Sequence, residues 1–478
     1  FHAVKIESGH YQIFNIYTQE SIESLDKKAF KKAYKKVRVN NRLRKKIKLS
    51  LSRISLVSGT EKSKINALNA LMAGIDKEGA GLVESLYTKE SSGRVKALMS
   101  VVLAVHQLNE ARNDEVFDSE EIAKALTVLD GRLEIPAKTA LINYRTYLEE
   151  VSEEEIIANE ENIDVLLTKT STVIKRIEDE VEFYLFTEKL FFGLSLGSVL
   201  LLAAIGLAIT FGVMGVINMA HGEMIMIGAY TTYVVQLIMP NLIEYSLFVA
   251  IPAAFLVAAL VGIVIQRTVI RYLHGRPLET LLATFGISLI LRQAVRTLFS
   301  PLNRQVDQPD WMSGALELNP VLSLTYNRLY ILAFSILVFI ALVFVIKKTS
   351  LGLNVRAVSQ NRAMAKSMGV KTEWVDAMTF GLGSGVAGVA GVALSQLTNV
   401  GPNLGQAYII DSFMVVVFGG VGNLMGTLVA AFSLGVANKF MEPITGAVLA
   451  NILVLVFIIL FIQKRPKGLF PQKGRAAE

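Results

Sequence analysis

The sequence predicts an all-α protein in two parts, an amphipathic helical domain followed by a polytopic α-helical membrane domain with about eight spans, some of them broken. Three observations carry that prediction. The 478 residues are 52% apolar and only 19% charged, with a mean hydropathy of +0.46, more apolar than ordinary soluble chains of this length. Charge is dense from Phe1 to about Glu188, whereas long apolar runs fill Leu190 to Gln463. Basic residues in the second part sit in short segments between those runs, so the net charge of +7 reads as a membrane-orientation signal and not as a nucleic-acid surface. The expected boundaries are 1–188 for an extracytoplasmic, periplasmic repeat-like helical domain, 189–470 for the membrane domain with a prominent loop at 349–373, and 471–478 for a cytoplasmic tail.

The first 39 residues carry little readable pattern. From Asn41 to Glu188 apolar residues recur at helical spacing, as in Ile65, Leu68 and Met72, then Ile122, Leu126 and Leu129, then Leu141, Tyr144 and Leu148. Asp118 with Glu121 reads as a capping pair, and Pro136 suits a first helical turn. Ala-Leu pairs recur inside successive helices at Ala67, Ala97, Ala125 and Ala140, with turn residues such as Ser91-Ser92-Gly93 between them. That recurrence suggests stacked, HEAT-like helical pairs, with a non-repetitive bundle as the alternative. No acid, base and nucleophile converge here, so a docking role is expected and not catalysis. The sequence starts at Phe1 and not Met, which raises the expectation of a removed signal peptide and an exported first half. The absence of cysteine excludes disulfides, thiolate metal sites and a cysteine nucleophile.

Apolar runs long enough to span are expected at Leu190–Val213, Glu223–Met239, Ser246–Ile270, Leu278–Phe299, Leu329–Ile346, Val375–Leu397, Ile409–Val436 with a glycine break, and Thr445–Ile462. Arg267, Arg271 and Arg276 share one connecting segment, Lys347, Lys348, Arg356, Arg362, Lys366 and Lys371 another, and Lys464, Arg465, Lys467 and Lys473 the tail. The positive-inside bias puts all three in the cytoplasm. Counting back through the spans places the first part outside a bacterial plasma (inner) membrane and the C-terminus inside.

Two apolar segments are broken by glycine and asparagine, Gly215 to Met219 and Gly420 to Leu424. Paired breaks in a membrane protein point to a solute path, because unwound backbone is tolerated only where protein or water satisfies it. Asn218, His221 and Glu223 follow the first break directly; they either line a polar passage or satisfy helix ends and one another. Thr284, Ser288 and Arg292 on a neighbouring run, and Asp411, Ser412 and Asn423 around the second break, complete the candidate pathway. A metal site is not expected, because no second His or Cys accompanies His221 in the membrane part. The loop between Ser350 and Thr372 predicts a short amphipathic helix ending at Gly369, with Ala363, Met364 and Met368 available to a partner's groove, or else lying on the membrane surface.

Several of these motifs occur together and in order. The run from Gly206 through Asn218-Met219-Ala220-His221-Gly222-Glu223, the segment Arg356 to Gly369, the Gly419-Gly420-Val421-Gly422-Asn423 break and the tail Arg465 to Phe470 resemble the permeases of branched-chain amino acid ABC importers. The leading helical extension, including Val39 to Arg44, and the run Gly228 to Val235 are similar to the urea-transporting branch of that family. The resemblance implies a permease subunit translocating urea, with import of branched-chain or other small amino acids as the alternative. It implies a second permease subunit, two cytoplasmic ATP-binding subunits and an extracytoplasmic solute-binding protein. It also implies that Arg356, Asn361, Ala363, Met364, Ala365, Met368 and Gly369 form a coupling helix against an ATPase. No Gly-x4-Gly-Lys-Ser/Thr loop occurs in the chain, so ATP and Mg would be bound by the partner ATPases and no cofactor by this subunit. Rival readings of other classes are a passive urea channel, for which the coupling-type loop has no purpose, and a membrane-anchored interaction protein.

Overall fold

The computed structural model describes residues 2–5, 11–14, 21–25, 40–114, 119–153, 160–273 and 275–470. Contacts divide the chain into two compact units, Phe1–Glu178 and Asp179–Glu478.

The first unit departs from the all-α expectation at its start. Strands β1 (His2–Lys5), β2 (Tyr11–Phe14) and β3 (Ser21–Leu25) form an antiparallel meander in which His2 pairs with Phe14 and Tyr11 with Leu25. Strands of four or five residues are too short for their periodicity to stand out in a sequence. Helices α1 (Asn41–Ser58), α2 (Glu61–Met72), α3 (Lys77–Tyr87), α4 (Gly93–Asp114), α5 (Ser119–Leu129) and α6 (Ile135–Glu153) follow. Side-chain caps begin two of them: Thr60 accepts from Ser63 N–H, and Asp76 from Gly79 N–H. Asp118 of the expected capping pair lies outside the described residues. Leu68, Leu71, Val83, Met99, Leu108, Leu126, Leu129, Leu141 and Tyr144 are fully buried, so the helical periodicity does mark inward faces. Helices α2, α3, α5 and α6 all pack on α4. One central helix is the pattern of a bundle, whereas a stacked repeat would limit each pair to its neighbours.

The long helix α7 (Glu160–Met214) carries the division between the units. After it come α8 (His221–Ile238), α9 (Ile243–Thr268), α10 (Pro277–Phe299), a hairpin of β4 (Ala315–Glu317) and β5 (Ser323–Thr325), and α11 (Tyr326–Lys348). Then follow α12 (Ser350–Gln360), α13 (Arg362–Ser367), α14 (Thr372–Ser395), α15 (Leu404–Gly419), α16 (Leu424–Thr445) and α17 (Ala447–Lys464). Among the described residues seven helices are long and apolar enough to cross a membrane: α7, α9, α10, α11, α14, α16 and α17. Helix α8 is not among them, because His221, Glu223 and Gln236 lower its hydropathy.

Helix α14 is the axis of this unit. Its apolar window is 89% buried, against 28% for α9 and 17% for α17. Small residues let its neighbours approach: a Cβ built on Gly228 of α8 would lie 1.9 Å from the Gly388 carbonyl oxygen of α14. Helices α9, α10, α11 and α17 turn apolar side chains such as Leu260, Leu282, Ile340 and Phe457 outward, as lipid-facing helices do.

The expected broken span Ile409–Val436 is two helices, not one. Gly420 and Gly422 both take positive φ, +104° and +77°, which turns the chain back so that α16 packs along α15. The tail straps this turn: Leu469 N–H donates to Phe418 O at 2.9 Å and Phe470 N–H to Gly419 O at 3.1 Å.

Candidate functional site

Helix α7 ends at Met214, the chain runs unwound through Gly215–Asn218, and α8 restarts at His221. The freed backbone is satisfied locally. Asn218 Oδ1 accepts from Ala220 N–H at 3.0 Å, and Thr284 Oγ1 of α10 accepts from Met219 N–H at 3.1 Å. His221 is fully buried, with Nε2 2.9 Å from the Ala203 carbonyl oxygen. A carbonyl accepts only, so Nε2 carries a proton, and Nδ1 has no protein partner among the described residues.

Two residues further on, Glu223 Oε1 accepts from Ser288 Oγ at 2.8 Å and from Arg292 Nη2 at 2.9 Å. Both charges are inside the unit, with side-chain exposures of 2% for Glu223 and 14% for Arg292. Thr284, Ser288 and Arg292 recur every fourth residue, so one stripe of α10 serves both the break and the start of α8. The pair is not saturated: Glu223 Oε2 and Arg292 Nε are buried without partners among the described residues. Beside the break lies a cavity of about 250 Å³ lined by Leu207, Ile217, Asn218, Met219, Leu281, Ile409, Ile410 and Phe413. Asn218 is its one polar residue, and Ile410 at the rim is 56% exposed, so the cavity opens at the surface of the chain.

The remaining pathway candidates separate from this cluster. Asp411 faces a second cavity of about 310 Å³, among Tyr408, Asn438, Lys439, Glu442 and Asn451. There Lys439 Nζ pairs with Glu442 at 2.5 Å and Asn438 hydrogen-bonds Asn451, while Asp411 has no ion-pair partner among the described residues. Ser412 is buried and donates to Tyr408 O at 2.7 Å, an intrahelical bond. Asn423 is a joint: its Oδ1 caps α16 at Met425 N–H and Gly426 N–H, and its Nδ2 donates to Phe470 O at 3.1 Å. Tyr408, Asn438 and Asn451 were not singled out by the sequence, since a lone amide on an apolar run has no local signature.

The 349–373 loop forms two helices where the sequence suggested one. Asn361 ends α12 and caps α13 through Met364 N–H at 2.9 Å. Ala365 packs with Val355, Val358 and Val375, while Ala363, Met364 and Met368 are exposed, and Gly369 follows α13. Arg356 Nη1 donates to Ile346 O at 2.7 Å, tying α12 back to the end of α11. Asp376 on α14, absent from the sequence-based candidates, receives both guanidinium nitrogens of Arg362.

Comparison with known proteins bears on residues 189–463, which match the family described as the permease component of branched-chain amino acid transport systems. The high-affinity branched-chain amino acid transport permease protein BraD of Pseudomonas aeruginosa is 29% identical over 299 residues, covering 60% of this chain and 96% of that protein. Its counterpart LivH of Salmonella typhimurium is 30% identical over the same coverage. The ribose import permease protein RbsC of Escherichia coli is 26% identical over 227 residues, 46% of this chain and 68% of that protein. No solved structure matches significantly.

Proposed function

The chain belongs to the branched-chain amino acid transport permease family, and from that premise we propose that it is the membrane-spanning subunit of an ATP-driven importer of small amino acids. The observation that carries the substrate class is the apolar cavity against Asn218 and the unwound segment, within the same unit as the buried Glu223–Arg292 pair. An apolar recess suits a branched side chain, while the polar head would be met outside it. Because the cavity opens at the surface of this chain, a second permease subunit would close it. One of the two ATPases would engage this chain at Met364 and Met368, on and just after α13, and a binding protein would deliver solute from the side opposite the basic loops. The basic residues of the α9–α10, α11–α14 and C-terminal segments favour a cytoplasmic location for that end, with the first unit outside as a docking module.

Urea is the second reading, on the resemblance of the leading extension to the urea-transporting branch. The relatives are matched over 96% of their length but account for 60% of this chain, so the leading unit is an addition to the amino acid permease plan. Uptake of labelled leucine and labelled urea, measured in parallel in cells carrying the complete transport operon, separates the two. Leucine uptake lost in Ala363→Glu/Met368→Glu supports the amino acid importer; urea uptake without leucine uptake replaces it with the second reading. Uptake indifferent to the α13 variant removes the ATPase-coupling role.

A further inference from the structure

At the basic end of the membrane unit, the end of α9, the 3-10 turn Ile270–Leu273, α13 and the start of α14 enclose two adjoining cavities of about 460 and 640 Å³. Gln266, Arg271, Lys366, Thr372 and Glu373 line both. Arg267, Arg271, Lys366 and Lys371 bring four positive charges to this groove. The acidic residues there are already engaged, Glu373 with Arg271 at 3.0 Å and Asp376 with Arg362. Arg267, Lys366 and Lys371 have no ion-pair partner among the described residues. Gln266 is 2% exposed, and its Oε1 is buried with no hydrogen-bond partner among the described residues.

We propose that this groove binds the phosphate headgroup of an anionic phospholipid. The charge balance selects a phosphate anion, and the surroundings select a lipid source. Leu256, Leu260 and Val264 recur every fourth residue along an exposed face of α9 that leads to the groove, a track for an acyl chain. Tyr272 and Trp374, 74% and 45% exposed, flank it as interfacial aromatics do. Basic pockets between helices at a membrane surface recognise anionic headgroups on the same physics.

The chain has two tryptophans, so Trp311→Phe leaves Trp374 as a local reporter. Full-length protein in a non-ionic detergent is expected to show saturable quenching of Trp374 by phosphatidylglycerol with brominated chains, at least about tenfold tighter than by brominated phosphatidylcholine. Native mass spectrometry is expected to retain phosphatidylglycerol on the protein and to lose that preference in Arg267→Gln/Lys366→Gln/Lys371→Gln. Equal quenching by the two lipids overturns the proposal without needing the variant to fold. Displacement of the lipid by an equal concentration of inorganic phosphate assigns the groove to a soluble anion and overturns the lipid source. A variant that keeps its lipid preference but no longer copurifies with ATPase subunits assigns the face to protein docking and likewise overturns the proposal.

Discussion

Arg362 holds Asp376 through two parallel hydrogen bonds, Nη1 to Oδ1 at 3.0 Å and Nη2 to Oδ2 at 2.5 Å. The carboxylate belongs to α14, the most buried helix of the membrane unit, and is itself 3% exposed; the guanidinium opens α13. Two bonds in one plane fix direction as well as distance. The start of α13 and the first turns of α14 are thus joined by a planar, two-point contact.

Removing the cation should hurt more than neutralising the anion. Arg362→Ala leaves a buried carboxylate without its partner, at a cost of about 3–5 kcal/mol, whereas Asp376→Asn leaves a neutral amide facing a half-exposed guanidinium. Thermal unfolding of the purified protein, followed by size-exclusion chromatography, is expected to rank wild type above Asp376→Asn above Arg362→Ala. Equal losses would mean that the pair is screened and carries no directional load.

The Glu223–Arg292 pair gives the same physics deeper in the unit. Arg292→Met strands the Glu223 charge and is expected to reduce membrane accumulation strongly, by about 3–5 kcal/mol of stability. Glu223→Leu/Arg292→Met removes both charges, so accumulation recovers while solute uptake stays below a tenth of wild type. Full recovery of uptake in the double variant would reduce the pair to a folding element.

Helix crossings impose a stricter rule at single positions. Gly228→Val places a side chain where the Gly388 carbonyl already sits, and protein accumulation is expected to fall at least tenfold. Gly286→Ala on α10, where a Cβ meets nothing within 4 Å, serves as the control and is expected to be neutral or to stabilise by up to about 1 kcal/mol. Immunoblotting of isolated membranes reads both.

In the first unit a pH dependence follows from Lys64 and Glu90. The Lys64 ammonium, 2.7 Å away, and the Ser92 and Ser91 N–H groups hold the Glu90 carboxyl below its ordinary value of 4.5. A lowered folded-state value means the stabilisation is present above the ordinary range and is lost as pH falls through it. Amide hydrogen exchange of the α2–α4 segment in the full chain should therefore separate wild type from Lys64→Met by about 0.5–1 kcal/mol near neutrality and converge in acid. A constant difference across that range would assign the effect to packing of the lysine stem.

Much of the architecture was legible because the membrane and the helix each impose a period. Leu68, Leu126 and Tyr144 announced their buried faces, and the breaks at Gly215 and Gly420 announced themselves by composition. What a break does was not legible. Gly215–Asn218 runs unwound into the start of α8, whereas Gly420–Asn423 is a tight turn closed by the tail, and both read as glycine with asparagine between apolar runs. Partners distant in sequence were equally silent: Glu223 meets Arg292 across 69 positions, and nothing local to Asp376 marks it as the receiver of Arg362. The hairpin β4–β5 and the leading meander escaped because three to five residues do not establish a period.

The strap from Arg465 to Phe470 also orders events in time. The carbonyls of Phe418 and Gly419 receive their donors from Leu469 and Phe470, residues that leave the ribosome only after α16 and α17 have been made. At the α15–α16 corner these two carbonyls thus wait for their donors until translation has passed Phe470.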